Sequence, residues 1–85
     1  MTKLEEKLLE LGYEKTFGGG RWCKEYDGNK NIFINTDGYY KEIKDYYIHF
    51  YGFIECQQDL VGLQLAFNEL QKDLELLKEC ENDEN

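Results

Sequence analysis

The stretch FIECQQDLVGLQLAFNELQKDLELL, Phe53 to Leu77, decides the fold. Its apolar residues Phe53, Cys56, Leu60, Leu63, Phe67, Leu70, Leu74 and Leu77 recur in alternating steps of three and four, the a/d spacing of a heptad helix. No proline interrupts it, and its polar positions are good helix formers. At a rise of about 1.5 Å per residue it forms a rod of roughly 37 Å. Val61, Leu65 and Ala66 widen the apolar arc beyond a strict a/d stripe. The expectation is therefore a seam buried on a sheet of the same chain, at least in its first half.

Working outward, Thr2-Lys3-Leu4-Glu5 has the form of a capping box, with Leu4, Leu8 and Leu11 on one helical face and Gly12 as terminator. Tyr13 to Tyr51 reads as strands. Tyr13–Phe17 is short and extended, and the runs Arg21–Tyr26, Asn31–Thr36 and Tyr39–Ile43 are separated by the hairpin signals Asp27-Gly28-Asn29-Lys30 and Asp37-Gly38. From Tyr39 to Tyr51 the apolar residues change phase at Lys44-Asp45, which predicts a bulge or tight turn there. Gly52 closes the sheet and serves as N-cap to the long helix. The fold class is α+β: a short N-terminal helix, a three- to four-stranded antiparallel sheet, and a long C-terminal amphipathic helix packed on it. Residues 1–80 form one domain and 81–85 an acidic tail.

Composition narrows the function. In 85 residues the hydrophobic content is 41% and the aromatic content 15%, too rich for a disordered chain. No apolar run approaches the roughly 20 residues of a bilayer span, and Lys3–Leu11 is amphipathic, not a signal peptide. Cys23, Cys56 and Cys80 are odd in number and widely spaced, which fits a reduced cytoplasmic setting. The net charge of −8 is uneven: residues 1–54 carry eight Lys/Arg against nine Asp/Glu, while 55–85 carry two against nine. Such a surface repels nucleic acid and anionic membrane, and attracts basic proteins.

Little in the chain carries chemistry. His49 is the only histidine, there is no serine, and nothing places a cysteine beside His49. The cysteines lack the close pairing of zinc ligands, so no metal or other cofactor is expected. Gly18-Gly19-Gly20 leads into Arg21-Trp22 where a phosphate loop needs Lys-Ser/Thr. Five of seven tyrosines crowd between Tyr39 and Tyr51, which suggests one buried and one exposed aromatic face. Asp59, Glu69, Asp73, Glu75 and Glu79 avoid the a/d positions and are expected to face solvent. The candidate partner-binding residues are therefore Tyr40, Tyr46, Glu69, Asp73, Glu75 and Glu79, with no catalytic residue.

Three segments, Leu8-Leu9-Glu10-Leu11-Gly12-Tyr13-Glu14-Lys15, Trp22-Cys23-Lys24-Glu25-Tyr26 and Ala66-Phe67-Asn68-Glu69-Leu70-Gln71-Lys72-Asp73-Leu74-Glu75, together resemble small proteins of temperate phages of Gram-positive bacteria. The resemblance implies a bacterial cytoplasmic setting in which small acidic proteins include inhibitors of host defence, anti-CRISPR proteins among them. The expected function is a non-enzymatic inhibitor that binds a basic, nucleic-acid-handling host protein. The alternative is a self-associating structural or regulatory module that uses the long helix as a homodimer seam.

Overall fold

The computed structural model describes residues 1–16, 19–51 and 57–81, with the side chains of 57–59 excepted. The expected roles of Gly52, Phe53 and Cys56, and of the tail beyond residue 81, lie outside the described residues. The element order is α1 (Lys3–Glu10), β1 (Glu14–Lys15), β2 (Arg21–Tyr26), β3 (Lys30–Thr36), β4 (Ile43–Phe50) and α2 (Gln57–Lys78). The four strands form an antiparallel meander in the order β1-β2-β3-β4. This is the α+β layout expected, with four strands.

Local chemistry explains each boundary. Thr2 Oγ1 accepts from the Glu5 N–H at 3.1 Å and Glu5 Oε1 accepts from the Thr2 N–H at 3.1 Å, so the capping box is formed. Gly12 leaves α1 with φ +98°, and the Tyr13 N–H bonds back to Leu8 O at 2.9 Å. Asp27 and Gly28 turn the β2–β3 hairpin with φ of 57° and 66°, the left-handed pair that an Asp-Gly dipeptide tolerates. At Gly20 the Thr36 N–H and Oγ1 both donate to the Gly20 carbonyl, at 2.6 and 3.0 Å. An added Cβ there would fall into the Thr36 backbone. The triple glycine is thus a close-approach requirement at its last member.

One expected strand is corrected. Of the expected strand Tyr39–Ile43, residues 39–42 are a turn, and β4 starts only at Ile43. Asp37 folds it, its Oδ1 accepting the N–H groups of Lys41 and Glu42 at 2.7 and 3.0 Å. Those bonds, Glu42 first, hold the Asp37 carboxyl below its ordinary range. The change of phase at Lys44-Asp45 is a register shift: Asn35 faces Asp45 and Thr36 faces Ile43, which leaves Lys44 as the extra residue.

Both helices cover the same face of the sheet. Lys30, Ile32, Ile34 and Thr36 of β3 are buried, while the alternate Asn31, Phe33 and Asn35 look the other way. The core joins Leu4 and Leu8 of α1, Tyr13, Trp22, Ile32 and Ile34 to Leu70, Leu74 and Leu77 of α2. Here the heptad expectation fails in part. The buried residues of α2 are Ala66, Leu70, Asp73, Leu74 and Leu77, in its second half, whereas Leu60 and Phe67 of the seam are exposed. The buried set is centred near Leu70 and Leu77, and at about 100° per residue Phe67 and Leu60 lie roughly 60–80° round from Leu70, at the edge of the core-facing arc. Leu70→Ala or Leu77→Ala should each cost about 2–5 kcal/mol in urea unfolding, and Phe67→Ala less than about 1.5 kcal/mol. Equal losses at all three positions would contradict this placement of the core.

Candidate functional site

The expected acidic, aromatic surface divides into three places. Asp73 is not on the surface at all: it is 2% exposed. Its Oδ2 accepts from the Tyr13 hydroxyl at 2.9 Å and from the Lys24 ammonium. Lys24 also donates to Glu69 at 3.1 Å and to the Leu11 carbonyl at 3.3 Å, and lies 4.7 Å from the Tyr13 ring centre. Asp73 and Glu69 therefore hold a cation between α2, β2 and the end of α1. Asp73 lies three residues after Leu70 and four before Leu77, hence on their face at a 3.6-residue period, and that spacing could have revealed it. It takes a g position beside the a/d seam, and positions outside a and d were expected to face solvent.

Tyr40 is also structural. Its φ is +58°, a costly conformation for a non-glycine residue. It is held by the Thr2 hydroxyl donating to its carbonyl at 2.7 Å and by a perpendicular ring contact with Trp22 at 6.3 Å. Lys15 Nζ sits 4.0 Å above the Tyr40 ring. The buried Trp22 indole N–H has no acceptor among the described residues.

Tyr46 and Glu75 do come together. With Gln71, Leu74 and Lys78 they line an open cleft of about 350 Å³ between β4 and α2. Glu79 is exposed in the turn that follows α2. Glu81, assigned to the tail by composition, accepts from the Ile43 N–H at 3.0 Å and so belongs to the fold.

Two further exposed surfaces are present; the first is the exposed aromatic face expected of the tyrosine-rich run, and its ring pairs and the second surface went unread in the sequence. On the uncovered sheet face Phe33 stacks on Tyr47 at 4.9 Å, His49 packs against Tyr51 at 4.3 Å, and Asn31 donates to the Tyr51 hydroxyl at 3.0 Å. Pairing them requires the β3–β4 register, which sequence alone does not supply. The second is the first half of α2, where Leu60 and Val61 are 54% exposed, Leu65 50% and Phe67 44%. Gly62 is on the opposite side of this segment, where an added Cβ would lie 3.2 Å from the buried Lys30 ammonium. Lys30 is held there by Asn29 Oδ1 at 2.8 Å and Asp27 Oδ2 at 3.2 Å.

Among the described residues no three His, Cys, Asp or Glu side chains cluster as metal ligands, and no helix is long and apolar enough to cross a membrane. Burial, then Glu14 and Glu25, pushes the Cys23 thiol up, away from nucleophilic character.

The buried cluster makes two measurable claims. Asp73→Ala leaves the Lys24 ammonium short of its main acceptor and should cost about 3 kcal/mol or more in chemical unfolding. A loss below about 1 kcal/mol would place the pair in solvent instead. Burial, and then the Asp73 carboxylate, push the Tyr13 phenol far above its ordinary 10.0. With the folded pKa above the unfolded one, stability is whole below about pH 10 and falls as pH climbs past it. Tyr13→Phe should flatten that alkaline limb in a melting-temperature series, although the variant loses one hydrogen bond at neutral pH.

Compared with protein-family models, with curated proteins and with solved structures, the chain matches none.

Proposed function

We propose that the chain is a non-enzymatic protein-binding module whose partner presents an apolar docking site with a basic border. The observation that supports this reading is the exposure of Leu60, Val61, Leu65 and Phe67 on the first half of α2. Large apolar side chains grouped on one arc of a helix, in a chain of net charge −8, fit a protein partner better than a nucleic acid or an anionic membrane. The acidic contribution is smaller than composition suggests, because Asp73 is buried and Glu69 is paired with Lys24. Glu75 of α2 and Glu79 just beyond its end remain exposed.

The setting that fits is a phage-encoded inhibitor of the anti-defence or anti-CRISPR type, acting on a nucleic-acid-handling host protein whose surface is basic. Self-association along the helix seam fits less well. Leu70, Leu74 and Leu77 are spent in the chain's own core, which leaves Leu60, Leu63 and Phe67. That is under two heptads, where a coiled coil needs about three or four.

The test is capture of a basic protein from bacterial lysate by the immobilised chain, followed by affinity measurement with the purified partner. Replacing Leu60, Val61 and Phe67 together by Ser should weaken binding at least about tenfold, about 1.4 kcal/mol, with little change in melting temperature. Binding should also weaken as salt rises from about 50 to about 300 mM. A partner indifferent to the triple substitution and to salt would overturn the reading.

A further inference from the structure

We propose that β4 is a self-pairing edge: two copies of this chain join their β4 strands antiparallel about a twofold axis at Tyr47, making one continuous eight-stranded sheet. β4 ends the strand order, so among the described residues one of its backbone edges has no neighbouring strand in the sheet. The Tyr51 N–H donates inward to Asn29 O at 2.7 Å. Alternation then turns the backbone groups of Asp45, Tyr47 and His49 inward and those of Tyr46, Ile48 and Phe50 outward. The bulge at Lys44 resets this parity, and the Ile43 N–H accordingly points out, to Glu81. The edge between Tyr46 and Phe50 is a row of outward donors and acceptors, with no proline and no bulge to blunt it.

Self-complementarity picks the second copy as the occupant. About an axis at Tyr47, Tyr46 of each strand faces Ile48 of the other as a hydrogen-bonded pair, so four main-chain bonds form around the axis. On the uncovered face Asp45 then stands directly opposite His49 of the second copy, a carboxylate against an imidazole that offers an N–H in either protonation state. Asp45 is already oriented by the Asn35 amide that donates to it, and His49 by its packing on Tyr51. The two Tyr47 rings meet on the axis, each stacked on its own Phe33, so the aromatic rows of the two open faces become continuous. On the helix side, Ile48 of the second copy arrives beside Tyr46, at the mouth of the open cleft between β4 and α2.

The test is molar mass of the full chain by sedimentation equilibrium over a range of concentrations. A monomer–dimer equilibrium is expected. Tyr46→Pro removes an N–H that the strand alternation turns away from β3, a change that an edge strand tolerates. It should weaken the dimer at least about tenfold, while Tyr46→Ala, which keeps that N–H, weakens it less. Asp45→Lys should also weaken association, and Asp45→Lys combined with His49→Glu should restore it, since the pair is then reversed with the backbone unchanged. This second set decides the matter if Tyr46→Pro does not fold. A wild-type chain monomeric at every concentration, or a dimer that neither Tyr46→Pro nor Asp45→Lys weakens, overturns the proposal. The measurement uses the chain alone, so its failure leaves the basic-partner reading standing.

Discussion

The buried pair between Asp73 and Lys24 is the constraint on which the rest of the arrangement depends. A carboxylate and an ammonium placed under two helices carry a desolvation cost that only close, multiply bonded geometry offsets. Asp73 meets Lys24 and Tyr13 together, and Lys24 also reaches Glu69 and the last carbonyl of α1's terminal turn. Such a cluster tolerates little rotation or sliding of α2 over β2. It therefore acts as a register pin between elements whose other contacts, leucine on leucine, are far less particular about angle.

Once α2 is pinned there, its two halves have different fates. Leu70, Leu74 and Leu77 close over Leu4, Leu8, Ile32 and Ile34. Toward the other end, the helix rests Gly62 against the Lys30 ammonium, which is itself supported by Asn29 and Asp27. A larger residue at position 62 would have to displace that ammonium. Leu60, Val61, Leu65 and Phe67 are left on the outer arc. An apolar surface of this kind is a cost to an isolated molecule in water, and its natural compensation is a partner.

The sheet shows a similar asymmetry. One face is filled by both helices, and the other carries Phe33, Tyr47, His49 and Tyr51 in two ring contacts. These rings shield one another, so the open face is partly self-solvated and not a bare hydrophobic plane. Its outer margin is β4, eight residues long, against the two-residue β1 at the opposite side. The longer margin of the meander is thus on the side where the aromatic rows lie.

Local chemistry was legible in the residues themselves. The Thr2–Glu5 box, the Gly12 stop, the Asp27-Gly28 hairpin, β2 and the phase change at Lys44 all depend on neighbours within a few positions, and each formed where the sequence placed it. The α+β class followed from the same signals. Tyr39–Ile43 misled because tyrosine and isoleucine favour strands, whereas one Asp37 carboxylate, by binding two N–H groups, bends that run into a turn. Only tertiary structure decided which face of α2 is inside. Apolar residues of α2 lie on more than one face, and the one turned inward is where Leu70, Leu74 and Leu77 meet the core and Asp73 meets Lys24. The same holds for Tyr40, Asp73 and Glu69, whose surroundings come from elements distant in the chain. Sequence alone determined what most segments would become, the run after Asp37 excepted. Which of their faces remain to meet a partner was decided by packing, because burial is a property of the assembled layers and not of any one segment.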